Sequence, residues 1–535
     1  MLRPTFLGYK TATGALKVNQ YFLDIVGQNM ANVNTQGYTR QRLDINSVAY
    51  SARNMKLATT GVIIGQGVDA KGVSQFRDSF LDLRYRMESS KAGSEYTQYE
   101  ALKDLENILD EIPMEDMEGM YGLDAQFSDL LRQLHSLSPS DPVSEGVVRT
   151  SAQMLAQMLN NYSKEMETVK NQQLSYLENG AVVDINQISE NIAKLNKQIR
   201  ESNISGNPAL ELNDERNMLI DQLSSYLDIE VDVEPLDIGG GNVIDEIVIR
   251  LRGTPEEIVN RNSYTELGVK NDNNIISINK IKRNDDGTIA EETDISTKIT
   301  GGQVNGYLKF LNGRGEFAQS DNEFENDRGV QYYQNMLDTL AVKFADMMNV
   351  LNRKPKSFND DGTVKEWDDR PLFEARGGGE ITAGNIKISD DWSEATDSYI
   401  TNTVVKSDGD SSGAKDNILR IIDSFQKSED YAAYIDSDGD GTAETKRPLF
   451  KGTFQEFLSY TTTKLNLQVR STETSYNTYA ETQFHIDYAR KSMSSVDLNE
   501  EGINLLQYSK SYNAAARLMT TLDEMLDTLI NRMGV

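Results

Sequence analysis

Residues 505–533 read LLQYSKSYNAAARLMTTLDEMLDTLINRM. Within them Leu505, Tyr508, Tyr512, Ala515, Met519, Leu522, Leu526, Leu529 and Met533 follow one another at alternating steps of three and four. That spacing is the a/d repeat of a helix that buries one seam against another helix, sustained for about four heptads. It fits a helix packed on its own protein and a coiled-coil surface for a partner equally well. Residues 1–34 predict a helix at the other end of the chain. Its apolar side chains, Phe22 and Val26 among them, cover more than one stripe, so it wants burial on most sides. The run Asn32-Val33-Asn34-Thr35-Gln36-Gly37 stops it, because Asn and Gly tolerate the left-handed conformation that ends helices.

Between these ends the period changes twice. Helical spacing dominates from residue 77 to 228, with Leu155, Leu159, Tyr162, Met166 and Val169 in heptads and a predicted break near Gly180. From about residue 229 the period becomes two: Ile247, Ile249 and Leu251 alternate with Val248, Arg250 and Arg252. Turn signals stand at Gly239-Gly240-Gly241 and Asp285-Asp286-Gly287. Residues 306–352 predict helix again, 353–451 a looser Gly- and Asp-rich mixture, and 452 onward helix to the end.

The fold class expected is therefore multidomain α plus β. Long terminal and inner helices form coiled-coil-like bundles, and β-rich outer domains are inserted in them. Residues 1–46 make the N-terminal helix and following strand, which pair with the C-terminal coiled-coil helix of 496–535. Residues 47–228 make an inner helical domain, completed by 306–352 and 452–495. The β-rich insertion spans 229–305 and the mixed one 353–451.

Composition narrows the function. The 535 residues carry a formal charge of -29, which disfavours nucleic acid and anionic membrane surfaces as partners. Cysteine is absent, which removes disulfides, thiolate nucleophiles and Cys-ligated metals. The two histidines, His135 and His485, lie in helical stretches away from any nucleophile-elbow pattern. No apolar run approaches the ~18 residues of a membrane span, and no signal-peptide segment opens the chain. The apolar fraction, counted with Gly and without Tyr, is about 41%, below the usual ~45–50%. A core completed only on assembly would show that shortfall.

The two termini carry a resemblance. Gly27-Gln28-Asn29-Met30-Ala31-Asn32-Val33-Asn34-Thr35-Gln36-Gly37-Tyr38-Thr39-Arg40-Gln41 resembles the N-terminal signature of bacterial flagellar rod, hook and hook-associated proteins. Gly65-Gln66-Gly67-Val68 with Arg77-Asp78 continues it. Ser495-Val496-Asp497-Leu498-Asn499-Glu500-Glu501, followed by Tyr512-Asn513-Ala514-Ala515-Ala516-Arg517, resembles the matching C-terminal signature. The form Gly37-Tyr38-Thr39-Arg40-Gln41, the helices of 143–228 and the stretch Gly301 to Asn352 are similar to hook-associated members. Asn217, where the family usually has an acid, and Ser509-Lys510-Ser511 depart from the pattern.

The resemblance implies a structural component of the flagellum and no enzyme. It implies a ring at the junction of hook and filament that allows filament assembly. The partners it implies are other copies of the chain, hook protein, a second junction protein and an export chaperone that holds the C-terminal helix. It places the chain outside the cell, exported through the flagellar type III channel without a cleaved signal peptide. Another axial protein, of hook or distal rod, and a secreted binding or adhesion module are the alternatives.

Candidate interface residues are Phe22, Val26, Asn29, Asn32, Asn34, Gly37, Tyr38 and Arg40 near the N-terminus, and Leu505, Tyr512, Met519, Leu522, Leu526 and Leu529 along the seam. No cofactor is expected and no motif singles out a catalytic pair among the many carboxylates. Asp436-Ser437-Asp438-Gly439-Asp440-Gly441 matches the first six positions of a calcium loop, with Glu444 at position nine. Arg447 stands where a bidentate Glu belongs, so Asp436, Asp438, Asp440 and Glu444 make a weak calcium candidate, and an acidic hairpin tip fits better.

Overall fold

A computed structural model describes residues 5–48, 67–109, 122–138, 141–239, 242–284, 288–318, 323–359, 363–405, 414–435 and 445–532. The chain opens with helix α1 (Thr5–Ala31) and a hairpin of strands β1 (Gln41–Ser47) and β2 (Val68–Gln75). Helices α2 (Ser79–Leu109), α3 (Leu123–Ser136), α4 (Pro142–Tyr176), α5 (Val182–Ile204) and α6 (Leu210–Tyr226) follow. The first sheet region comprises β3 (Ile229–Gly239), β4 (Asn242–Leu251), β5 (Glu257–Asn260), β6 (Ser263–Tyr264), β7 (Glu266–Asp272), β8 (Ile275–Arg283) and β9 (Ile289–Asp294). These strands form two antiparallel sheets, β3-β4-β5-β6 and β7-β8-β9.

Helices α7 (Gly302–Asn312), α8 (Glu323–Asn326) and α9 (Val330–Leu351) return to the bundle. Three two-stranded sheets come next: β10 (Lys354–Phe358) with β11 (Val364–Asp368), β12 (Phe373–Ala375) with β13 (Ile386–Ile388), and β14 (Glu429–Ile435) with β15 (Thr445–Gly452). Helices α10 (Asp390–Glu394) and α11 (Asp416–Phe425) sit between the last two. Helix α12 (Phe454–Ser494) then runs back along α2, and α13 (Leu498–Asp527) pairs with α1. The class is the expected one, long helices in bundles with small antiparallel sheets.

Two helical predictions differ from the structure. No break occurs at Gly180. A π-helical turn, Leu177–Ala181, joins α4 to α5 into one continuous helix, roughly 95 Å long at the usual rise. The wide turn absorbs one residue, so Leu177, Ala181 and Ile185 stay on the buried side. The stretch 306–352, in contrast, is interrupted between Asn312 and Val330. Its chain crosses itself there: a Cβ on Gly329 would stand 2.0 Å from the carbonyl oxygen of Phe310. Only glycine permits that approach, and a straight helix could not make it.

Asparagines fasten strands to helices. The Asn186 amide on α5 donates to the Leu267 carbonyl at 2.8 Å and accepts from its N–H at 2.8 Å. Asn312 on α7 does the same to Ile276, and Asn349 on α9 to Phe373. Each side chain presents the donor and acceptor of a neighbouring strand, so buried backbone groups are satisfied where the sheets dock. Glu145, near the start of α4, is almost wholly buried. Its carboxylate accepts from Trp392 Nε1 at 2.9 Å, Ser398 Oγ at 2.7 Å and the N–H groups of Tyr399 and Ile400. An aromatic knot lies beside these contacts: Phe344 meets Phe127 edge-on at 5.3 Å, and Tyr431 stacks on Phe457 at 4.0 Å.

Candidate assembly interface and its joint

Helices α1 and α13 cover one another only in part. Ala12, Val18 and Val26 of α1 are buried, and Phe22 stacks on Tyr508 at 4.3 Å. Gly8 leaves room for the Leu522 methyls, 3.5 Å from where a Cβ would lie. Among the described side chains of the seam only Ala515 is buried; Tyr508, Met519, Leu522 and Leu526 are half-buried, and Leu505 and Tyr512 are exposed. Leu529 falls in the closing π-helical turn, Thr528–Arg532. A second set of apolar side chains, Ile503, Leu506, Leu518 and Met525, points to solvent. One chain therefore supplies too little apolar surface to finish its own terminal pair.

The pair is joined to the body by a polar cluster. Asn29 lies at its centre and is 1% exposed. Its Nδ2 donates to the Gln41 carbonyl at 3.0 Å and to Glu501 Oε1 at 3.4 Å. Its Oδ1 accepts from the Gln41 N–H at 3.0 Å and the Tyr38 hydroxyl at 2.9 Å. All four of its hydrogen-bonding positions are thus used, and Gln41, the first residue of the hairpin, is tied through Asn29 to both terminal helices.

Arg40 completes the link to α13. Its Nε donates to Glu501 Oε1 and its Nη1 to Glu500 Oε2, both at 2.7 Å, while its backbone N–H bonds the Ser494 carbonyl at 2.8 Å. The Glu501 side chain is 2% exposed and that of Glu500 is 60% exposed, so the first ion pair carries the weight.

Asp214 at the start of α6 fixes the strap of residues 32–39 that leads from α1 to the hairpin, accepting from the Thr39 N–H at 2.9 Å and the Thr39 hydroxyl at 2.6 Å. Burial pushes the Asp214 carboxyl above its ordinary range, against the opposing pull of those bonds and of Arg77. Burial, then the charges of Glu211, Asp214 and Glu501, hold the Tyr38 phenol well above its usual range. Tyr38 is therefore a permanent donor to Asn29. Behind it Arg490 on α12 bridges Asp221 on α6 and Asp82 on α2, with its guanidinium 4.0 Å over the Tyr85 ring.

The strap itself spans open space. Asn32 bonds the Gln28 carbonyl of its own helix, and Asn34 is exposed. Gly37 takes a φ of +80°, a conformation that favours glycine, and turns the chain toward Met218. Residues 32–39 line a cleft of about 750 Å³ whose far wall includes Asp214, Asp221 and Arg490.

Thr39, Gln41, Asp214, Arg490 and Glu501 belong to the joint but escaped nomination from sequence. Gln41 lies twelve residues from its partner Asn29, but Thr39 meets Asp214 across 175 residues, Arg490 meets Asp221 across 269 and Glu501 meets Arg40 across 461, so spacing marks none of those four. Asp436, Asp438, Asp440 and Glu444 lie outside the described residues. Among the described residues no acid or histidine cluster could hold a metal ion, and no helix is long and apolar enough to cross a membrane.

Comparison with known proteins bears on this arrangement. The model of the flagellar hook-associated protein FlgK helical domain matches residues 104–363. That of the flagellar basal body rod FlgEFG protein C-terminal region matches residues 492–533, which hold α13. Flagellar hook-associated protein 1 of Bacillus subtilis (strain 168) is 30% identical over 544 residues, covering 99% of each chain. The chain belongs to the flagellar hook-associated protein 1 family. Other flagellar hook-associated protein 1 sequences align over a smaller part. That of Salmonella typhimurium is 26% identical over 42% of this chain and 38% of its own length. That of Escherichia coli K12 is 24% identical over 42% and 39%. The flagellar hook junction protein FlgK from Burkholderia pseudomallei overlays with a TM-score of 0.41 at 20% identity, covering 56% of this chain and 47% of that one.

Proposed function

We propose that this chain is a structural component of the bacterial flagellum, placed between hook and filament, where it allows the filament to be built. One observation carries the reading: the termini pair with each other, yet leave an apolar face open that other copies would cover. Contacts of that kind, repeated head to tail, generate rings or helical tubes and not two-fold dimers. Hook protein would contact the ring on one side and the second junction protein on the other. The exposed row of α13 suits an export chaperone before assembly, since both would cover the same apolar side chains. Export through the flagellar channel without a cleaved signal peptide is consistent with a chain that has no cysteine to cross-link. We read the protein as non-catalytic, without cofactor, nucleic-acid or membrane partner. The Asp and Arg side chains that wall the cleft beneath the strap are paired with one another, a mechanical joint in chemistry.

Electron microscopy of a strain lacking the gene, with flagellin assayed in its medium, tests this. Bare hooks and flagellin lost to the medium are expected. Cells without hooks would move the chain to hook or rod. Normal flagella would overturn the axial reading.

A further inference from the structure

A groove of about 240 Å³ opens between α1, the hairpin and α13. Phe22, Ile25 and Val26 of α1, Leu43 of β1, Phe76 just after β2 and Tyr508 of α13 form its apolar floor. These walls touch one another. Phe22 stacks on Tyr508 at 4.3 Å, and the Phe76 N–H donates to the Arg40 carbonyl at 2.9 Å. The guanidinium groups of Arg40 and Arg42 cover the Phe76 ring at 5.6 and 4.9 Å. The charges at the mouth are already paired, Arg40 with Glu500 and Glu501, Arg42 with Asp44. The groove therefore offers an apolar floor and asks for no counter-charge. Cofactor and drug-sized ligands take pockets of ~300–1,000 Å³. An apolar cavity of about 150 Å³ already takes a benzene ring, so this groove suits one or two large aliphatic side chains.

The matching side chains stand on the same helix. Glu501, Asn504 and Tyr508 line the groove from α13. At roughly 100° per residue they share one face of that helix, and Ile503 and Leu506 lie about 160° round from it. Three residues apart, Ile503 and Leu506 are neighbours on the helix surface. They are 65% and 63% exposed. One stretch of α13 thus carries the groove on one side and an aliphatic knob on the other, at the same level. The helix itself stands between them, so a knob cannot enter the groove of its own chain.

We propose that the Ile503–Leu506 knob of one copy fills the groove of the next copy. The contact rests on the self-assembly reading above and names the surfaces that carry it. A second copy is the occupant because it brings an uncharged aliphatic pair to an uncharged apolar floor, at the level where that floor lies. The groove is also continuous with the α1–α13 seam, which one chain leaves half covered. Knob and groove face opposite ways, so a two-fold pair cannot seat both knobs. The contact is heterologous, and its repetition gives a closed or helical array. Two side chains bury far less than the ~800 Å² per partner of a stable interface. Free copies therefore stay single, and the contact forms only where the ends of the chain are also held.

The chain contains no cysteine, so cross-links can be placed at will. Cells would carry Asn504→Cys in the groove with Leu506→Cys on the knob, and isolated hooks with their junctions would be oxidised. Two residues apart on a helix, these positions point away from each other and cannot link within one chain. A ladder of linked copies that collapses on reduction is expected. A control pair, Asn504→Cys with Leu467→Cys, uses an exposed residue about 40 Å along α12 from Ser494 and should give none. Linked pairs without higher rungs would mean a two-fold contact and overturn the proposal. Junctions that hold normal amounts of the paired variant but give no links overturn the contact and leave self-assembly standing. Absence of the unmodified chain from the junction would instead remove the assembly reading. Leu506→Cys alone gives a second measurement. Maleimide should label it in the free secreted protein and at least tenfold less in assembled junctions; equal labelling overturns the contact.

Discussion

Replacing Asn29 with Ala removes one amide that serves four partners. The Gln41 N–H and carbonyl lose their bonds at 3.0 Å each, the Tyr38 hydroxyl its acceptor at 2.9 Å and Glu501 a weaker donor at 3.4 Å. Tyr38 and Glu501 sit near other polar groups, whereas the two Gln41 backbone groups have no substitute in this buried place. A buried group left unpaired costs about 1–3 kcal/mol, so two of them cost about 2–4 kcal/mol after partial relaxation. That loss is local to the joint; the body keeps its core. Hydrogen exchange reads it directly, because the Gln41 amide is itself one of the broken bonds. Exchange at Gln41 should speed by about 30- to 1,000-fold at 1.4 kcal/mol per decade, while amides in α9 should not change. Asn32→Ala is the control: its amide donates to the Gln28 carbonyl and accepts from the Thr35 hydroxyl, both at exposed positions, so its effect should stay within about 0.5 kcal/mol. Acceleration of less than about fivefold at Gln41 would refute the role assigned to Asn29.

Other outcomes can be stated more briefly. Glu145→Gln puts an amide nitrogen among four donors, those of Trp392, Ser398, Tyr399 and Ile400. It should cost about 2–3 kcal/mol and shift Trp392 fluorescence to the red; an unchanged spectrum would count against the clamp. The Glu316 carboxyl is held at about 2, against burial, by Arg328 and Lys464. Its folded pKa is depressed from 4.5, so its stabilisation is full above pH 4.5 and is lost as pH falls toward about 2. An acid titration of Glu316→Gln should be flatter across that window, and an identical acid limb would contradict it. Leu522→Asp should block incorporation at the hook tip without lowering the melting temperature of the body, and normal incorporation would remove the seam from assembly.

Periodicity made most of the architecture legible. The heptads of α4 and the terminal helices follow from spacing alone, as does the change of period near residue 229. The prediction at Gly180 failed because one glycine was weighed above the apolar spacing of Leu177, Ala181 and Ile185, which runs on through the wide turn. The interruption between Asn312 and Val330 arises from chain crossing, which local pattern does not encode. The joint was legible in half. Asn29, Tyr38 and Arg40 lie within one short motif, while Asp214, Arg490 and Glu501 reach it only through the fold. Long-range charge pairing leaves no local trace in a chain with 83 acidic residues to choose from.

The ion pair between Arg40 and Glu501 links positions 461 residues apart. In an unfolded chain, closing so long a loop costs about 5 kcal/mol by the logarithmic law, more than one partly exposed ion pair returns. Once α2 and α12 have come together, the loop still to be closed runs only from Arg40 to Ser79 and from Ser494 to Glu501. The penalty then falls by about 2 kcal/mol. Fastening of the two ends is thus conditional on completion of the body. A subunit emerging end-first from a narrow passage would keep its tips separate until its last residues had arrived, and a truncated or stalled copy would never present a finished pair to the growing structure.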